Sequence, residues 1–101
     1  MKLKDTTFDI HGSTWNIKFV EEIKEGDSYT KGDCDPIKYE IRIAKTVRGI
    51  KPSQKELQKT LLHELVHAIF ITGAYHSCYE DEPLVEHTTR CLNSMINNKI
   101  I

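Results

Sequence analysis

Residues 63–67 read His63-Glu64-Leu65-Val66-His67, two histidines four positions apart with a glutamate beside the first. On an α-helix of about 3.6 residues per turn and about 1.5 Å rise, positions 63 and 67 lie roughly 40° apart around the axis and about 6 Å apart along it. Both imidazoles can then reach one zinc ion, and Glu64 is close enough to face a water in its open coordination position. Zinc lowers the pKa of that water and polarises a carbonyl, while the carboxylate takes the water's proton. One helical turn thus offers two ligands and a general base. A plain core helix with two hydrogen-bonded histidines is the bland alternative. It is disfavoured because a buried helix rarely carries two histidines and a glutamate without a compensating partner.

Zinc hydrolases commonly use three protein ligands and leave the fourth position for water. Six residues after His67 comes Gly73, so the HExxHxxGxxH extension of metzincins is missing. Downstream, Tyr79-Glu80-Asp81-Glu82-Pro83-Leu84-Val85-Glu86-His87 opens a second amphipathic stretch, and its carboxylates Glu80, Asp81, Glu82 and Glu86 are the candidates for the third ligand. HELVHAI followed by E-x-x-V-E and Leu92 resembles the gluzincin division of zinc peptidases. The likeness is greatest to small phage- and mobile-element-encoded members and to the ImmA/IrrE type of regulatory peptidase. It covers roughly residues 56–96, with a looser likeness upstream.

That resemblance implies a zincin-like minimal domain, a zinc-dependent metallopeptidase activity with one Zn²⁺ per chain, and Glu82 as third ligand. Glu86, one turn later, is then either the carboxylate that receives a ligand histidine's other N–H or the ligand itself; metal-bound histidines usually have such a partner. Glu80 and Asp81 read as helix-start charges favoured by the macrodipole, and Pro83 suits a first helical turn. For the oxyanion of the reaction, Tyr75, His76 and Tyr79 are candidate donors by their position between the two helices. His11 and His87 read as surface residues.

The 101 residues allow one domain, 1–101, with a modest core. With 39% hydrophobic and 29% charged residues and a net charge of −1, nothing marks a nucleic-acid footprint or an anionic-membrane binder. No apolar run approaches the roughly 18–20 residues of a membrane span. Met1-Lys2-Leu3-Lys4-Asp5 lacks the apolar core of a signal peptide, so a cytoplasmic location is expected. Cys34, Cys78 and Cys91 form no C-x-x-C pair and read as reduced thiols, Cys78 near the metal-bearing segments and Cys91 in the core.

The framing elements follow from periodicity. Alternation over 6–12 and 14–20 predicts a hairpin or two short strands, and 39–44 a third strand. Residues 22–36, with Gly26, Asp27, Gly32, Asp33 and Asp35, read mostly as loop. Ser53 as N-cap and Glu56 as its capping-box partner start a helix over about 54–72, stopped by Gly73. A loop of about eight residues leads to a last helix over about 82–97. The expected fold is α+β: a small, mostly antiparallel sheet of about three strands, then the HExxH helix and a second helix bearing the third ligand. In gluzincin-like folds the strand before the HExxH helix forms the cleft edge, which places a peptide or protein substrate against residues 39–45 as an added strand. Two rival functions compete with hydrolysis. One is a zinc-bound regulatory or interaction protein with little peptidase activity. The other is a purely structural zinc, against which Glu64 argues, since a structural site has no use for a base.

Overall fold

A computed structural model describes residues 2–100. The alternating segments become β1 (Thr6–Ile10) and β2 (Ser13–Val20), paired antiparallel with Phe8 opposite Trp15. Their two-residue turn places His11 at φ 50° and Gly12 at φ 88°, the positive pair that a tight hairpin of right-handed twist requires. Residues 22–36, read as mostly loop, instead hold a two-stranded ribbon, β3 (Ile23–Glu25) with β4 (Ser28–Thr30), and then β5 (Gly32–Asp35). β6 (Glu40–Ala44) completes a four-stranded sheet of order β1-β2-β6-β5.

This sheet differs from the expected one in strand number and in having a parallel pair: β2 runs parallel to β6, with Ile17 beside Ile41 and Phe19 beside Ile43. β6 is interior, flanked by β2 and, antiparallel, by β5. Its backbone is therefore committed on both sides, and the expectation that 39–45 forms the cleft edge is overturned. The edge is β5. Gly-Asp-Cys-Asp gives no apolar alternation to read, because one face meets solvent and the other carries only a glycine and a cysteine. Pairing with β6 makes it a strand, not its own composition.

Period-two alternation sorts the sheet's faces. Trp15, Ile17, Ile41 and Ile43 point inward and pack with Leu57, Leu61 and Ala68 of α1 (Gln54–Thr72) in one buried cluster. Outward-facing residues pair in solvent, as in Lys18–Glu40 at 3.1 Å and the forked Arg42–Asp33 pair. α1 begins as anticipated: Glu56 N–H donates to Ser53 Oγ at 3.2 Å, and Ser53 N–H donates back to Glu56 at 3.1 Å. It ends at Gly73. A one-turn helix, α2 (His76–Tyr79), interrupts the following loop. α3 (Glu82–Asn97) starts on Asp81, whose carboxylate accepts from Leu84 N–H at 3.1 Å, with Pro83 in the first turn. α3 packs beside α1, the two being tied by Gln58 Nε2 donating to Asn93 Oδ1 at 3.0 Å. Cys91, expected in the core, is exposed on α3 with its sulfur 3.6 Å from His87 Nε2. The α3 positions facing inward are Val85 and Thr89, and position 91 falls off that stripe.

Candidate metal centre

Helical spacing brings the His63 and His67 rings together with centroids 5.0 Å apart. What fixes their orientation comes from elsewhere in the chain. His67 Nδ1 lies 2.8 Å from the Tyr79 carbonyl, so the N–H sits on Nδ1 and Nε2 keeps its lone pair. His63 Nδ1 lies 3.3 Å from Glu86 Oε2. Both Nε2 atoms consequently face the same side, where Glu82 on the first turn of α3 meets them: Oε2 is 3.1 Å from His63 Nε2 and Oε1 is 3.1 Å from His67 Nε2. The donor atoms of His63, His67 and Glu82 all lie within 4.8 Å of one another. Four donors around a tetrahedral zinc at about 2.1 Å stand roughly 3.4 Å apart, so this set fits such an ion with little movement. Two imidazoles and one carboxylate are also donor chemistry that zinc accepts.

Protonation states suit metal binding. Burial lowers the pKa of His67 below that of a free imidazole even with Glu82 nearby, favouring the neutral ring that ligation needs. Glu86 is partly buried, which raises its pKa, but the charges of Lys59, His63 and Arg90 more than offset this and hold it below the usual carboxylate range. Lys59 Nζ is 3.5 Å and Arg90 Nε 3.3 Å from Glu86 Oε1. Glu86 is thus anchored as an anion behind the His63 ring, while Glu82 remains more open.

Glu64 is 8% exposed and makes no hydrogen bond among the described residues. Burial pushes its carboxyl up to about 8, with Asp33 and Glu82 adding to the effect. Folding therefore favours the protonated acid. In the metal-free protein the resulting stability is fully present below the ordinary carboxylate pKa and is lost as pH rises towards 8. His67 acts oppositely, costing stability as pH falls below about 6.5, so the window above that value isolates Glu64. With EDTA present, the melting temperature should fall between pH 6.5 and 8.5 by on the order of 5 °C. Glu64→Gln should flatten this slope, and thermal melts of both proteins across the window check it; an equal slope in the variant would remove Glu64 as its source.

The acid lies in a cleft between α1 and the edge strand. Ala44 N–H donates to Lys31 O at 2.9 Å, and the β5–β6 register then alternates so that the backbone polar groups of Gly32 and Cys34 turn away from β6. Among the described residues their carbonyls receive side-chain hydroxyls, Gly32 O from Thr30 Oγ1 at 3.1 Å and Cys34 O from Tyr79 at 3.4 Å. At Gly32 α1 comes close to the strand. A Cβ there would stand 2.9 Å from Thr60 Cγ2, 3.0 Å from the Arg42 carbonyl and 3.3 Å from Glu64 Cγ. Gly32→Ala should cost about 1–3 kcal/mol by pushing β5 from α1. Denaturant melts measure this, and an unchanged midpoint would mean that the strand yields freely.

Of the proposed oxyanion donors, the structure brings one to the cleft. Tyr79 lines it, with its ring edge-on to His67 at 5.1 Å. Tyr75 is 63% exposed and lies against Gly73, and His76 is exposed on α2; neither lines the cleft. Cys78 is likewise outside it. The cysteine that does line it is Cys34, whose thiol burial pushes up to about 12, with Glu64 and the β5 aspartates contributing, so it stays a neutral thiol. Gly32 and Cys34 went unread because they fell in an apparent loop. A glycine marking close backbone approach in a strand was the one available signal.

Comparison with family models, with curated proteins and with solved structures finds no match for this chain. Among the described residues, no helix is long and apolar enough to cross a membrane.

Proposed function

We propose that the protein is a zinc-dependent metallopeptidase, of the gluzincin kind that its HELVH motif resembles. The observation that carries this reading is the convergence of two Nε2 lone pairs from one helical turn on the Glu82 carboxylate, beside a buried glutamate that makes no hydrogen bond among the described residues. A purely structural ion would leave Glu64 with no purpose and would ordinarily fill its coordination with protein donors.

His63, His67 and Glu82 would hold the ion. When bound, zinc supplies a Lewis acid for the scissile carbonyl, acidifies its water and, by its charge, returns Glu64 towards the carboxylate. Glu64 then accepts the proton of the attacking water and delivers it to the leaving amide nitrogen. Glu86 and the Tyr79 carbonyl fix the two rings so that Nε2 faces inward. The Tyr79 hydroxyl, which lines the cleft, would serve as the oxyanion donor once released from the Cys34 carbonyl. The outward amide and carbonyl groups of Gly32 and Cys34 offer an extended peptide backbone its pairing partner.

Metal content tests the assignment of ligands. Wild type should hold about one zinc per chain at neutral pH, and Glu82→Ala should lose it on dialysis. Glu86→Ala should keep the site with affinity weaker by about 10–100-fold. Plasma mass spectrometry on dialysed protein, together with competition against a zinc chelator, reads both. Loss in Glu86→Ala with retention in Glu82→Ala would exchange the two roles, and a wild type that takes up no zinc would sink the reading.

A further inference from the structure

We infer that the cleft selects peptides bearing a lysine or arginine side chain on one side of the cleaved bond, received between Glu25 and Glu80. This rests on the hydrolytic reading above and names its substrate class. The cleft has two halves that meet at Thr30, Gly32, His63 and Glu64. One, of about 580 Å³, reaches Glu25, Asp33 and Glu80, and no lysine or arginine lines it. The other, of about 540 Å³, reaches Tyr29, Lys31 and Lys59. Both sizes suit a segment of extended peptide.

Lining charge alone decides little, because paired charges cancel; the unpaired ones matter. In the first half Asp33 is occupied by the Arg42 fork; Glu25 and Glu80 form no close ion pair among the described residues, although Arg42 acts on Glu25 from a distance. In the second half the carboxylates are already committed. Glu56 closes the α1 capping box, and Glu86 sits among Lys59, Arg90 and His63. Lys31 there is matched by Glu56, on which its charge acts, and Lys24 Nζ and the Arg48 guanidinium each lie 5.5 Å from the Tyr29 ring centre. The first half thus keeps carboxylates without a close cation, while the acids and bases of the second are matched to one another. Glu64, 8% exposed and without a hydrogen-bond partner, stands at the junction and borders both halves. A second metal is not what the acidic half holds: among the described residues, the one set of three donors within ligand reach is His63, His67 and Glu82. A cation on a long flexible stem can meet two carboxylates that are not arranged as a coordination shell.

The test uses zinc-loaded protein and internally quenched peptides that differ only by lysine or glutamate at each position flanking the cleaved bond. At one position lysine should raise kcat/KM roughly threefold to tenfold over glutamate, the size expected of exposed charge pairs. The preference should shrink in high salt. It should fall to near unity in Glu25→Gln/Glu80→Gln and reverse in Glu25→Lys/Glu80→Lys, each variant first shown to hold wild-type zinc. Binding of the same peptides to zinc-loaded Glu64→Gln, read by fluorescence anisotropy, separates the two readings. Lysine-selective binding by Glu64→Gln without turnover by wild type upholds the charge selection and removes the hydrolase. Turnover by wild type with no charge preference, or with one that the Glu25 and Glu80 variants leave intact, overturns the inference alone. Neither turnover nor selective binding overturns both.

Discussion

Glu64→Gln should reduce peptide cleavage by about 10²–10⁴-fold, the usual contribution of a positioned general base, while the protein keeps about one zinc per chain. The substitution preserves shape and volume, and glutamine lacks only the capacity to take a proton. It should not harm the fold, because Glu64 is buried without an ion-pair partner and its carboxyl is pushed up to about 8 in the metal-free protein. A neutral amide suits that pocket at least as well as the acid does. kcat/KM on a quenched peptide, measured alongside metal content, checks both halves of the expectation. Undiminished cleavage by Glu64→Gln would move the base elsewhere. Zinc lost along with activity would show Glu64 acting on the metal rather than on the proton.

Removing the metal should be the other large effect. α1 and α3 join the site through His63, His67 and Glu82, so an ion held there would bridge two helices that otherwise meet over a small core. A ligand present at a free concentration of about 100 times its dissociation constant stabilises the folded state by about 2.7 kcal/mol. For a domain of this size that corresponds to about 10–20 °C in melting temperature. EDTA should lower the wild-type Tm by that amount, and His67→Ala should melt at one temperature with or without zinc. Differential scanning calorimetry with and without chelator decides it. A zinc-dependent rise in Tm that survives in His67→Ala would place the ion at another set of donors.

Much of this arrangement was legible in the chain. Capping residues Ser53 and Glu56, the apolar stripe between them and Gly73, and the Asp81–Pro83 start each act within one or two helical turns. Local chemistry therefore set the limits of α1 and α3 before any tertiary contact was considered. The histidine pair was legible for the same reason, since a separation of four positions has only one meaning on a helix. The hairpin of β1 and β2 announced itself by alternation and a glycine turn.

Long-range decisions were not legible. Four acidic residues stood within one short segment, and spacing alone could not choose among them. The choice depends on where α3 lies against α1, which brings Glu82 to the two Nε2 atoms and Glu86 to the other side of His63. Strand β5 and the interior place of β6 depend on a pairing between segments that local composition does not encode, so the edge of the cleft moved from 39–45 to Gly32–Asp35. The sequence by itself determined the helices, the two histidines and the glutamate between them, because each rests on neighbours a turn away. Tertiary structure decided which carboxylate meets the two histidines, their tautomers, the burial of Glu64 and the free edge beside it, because each is a contact between elements distant along the chain.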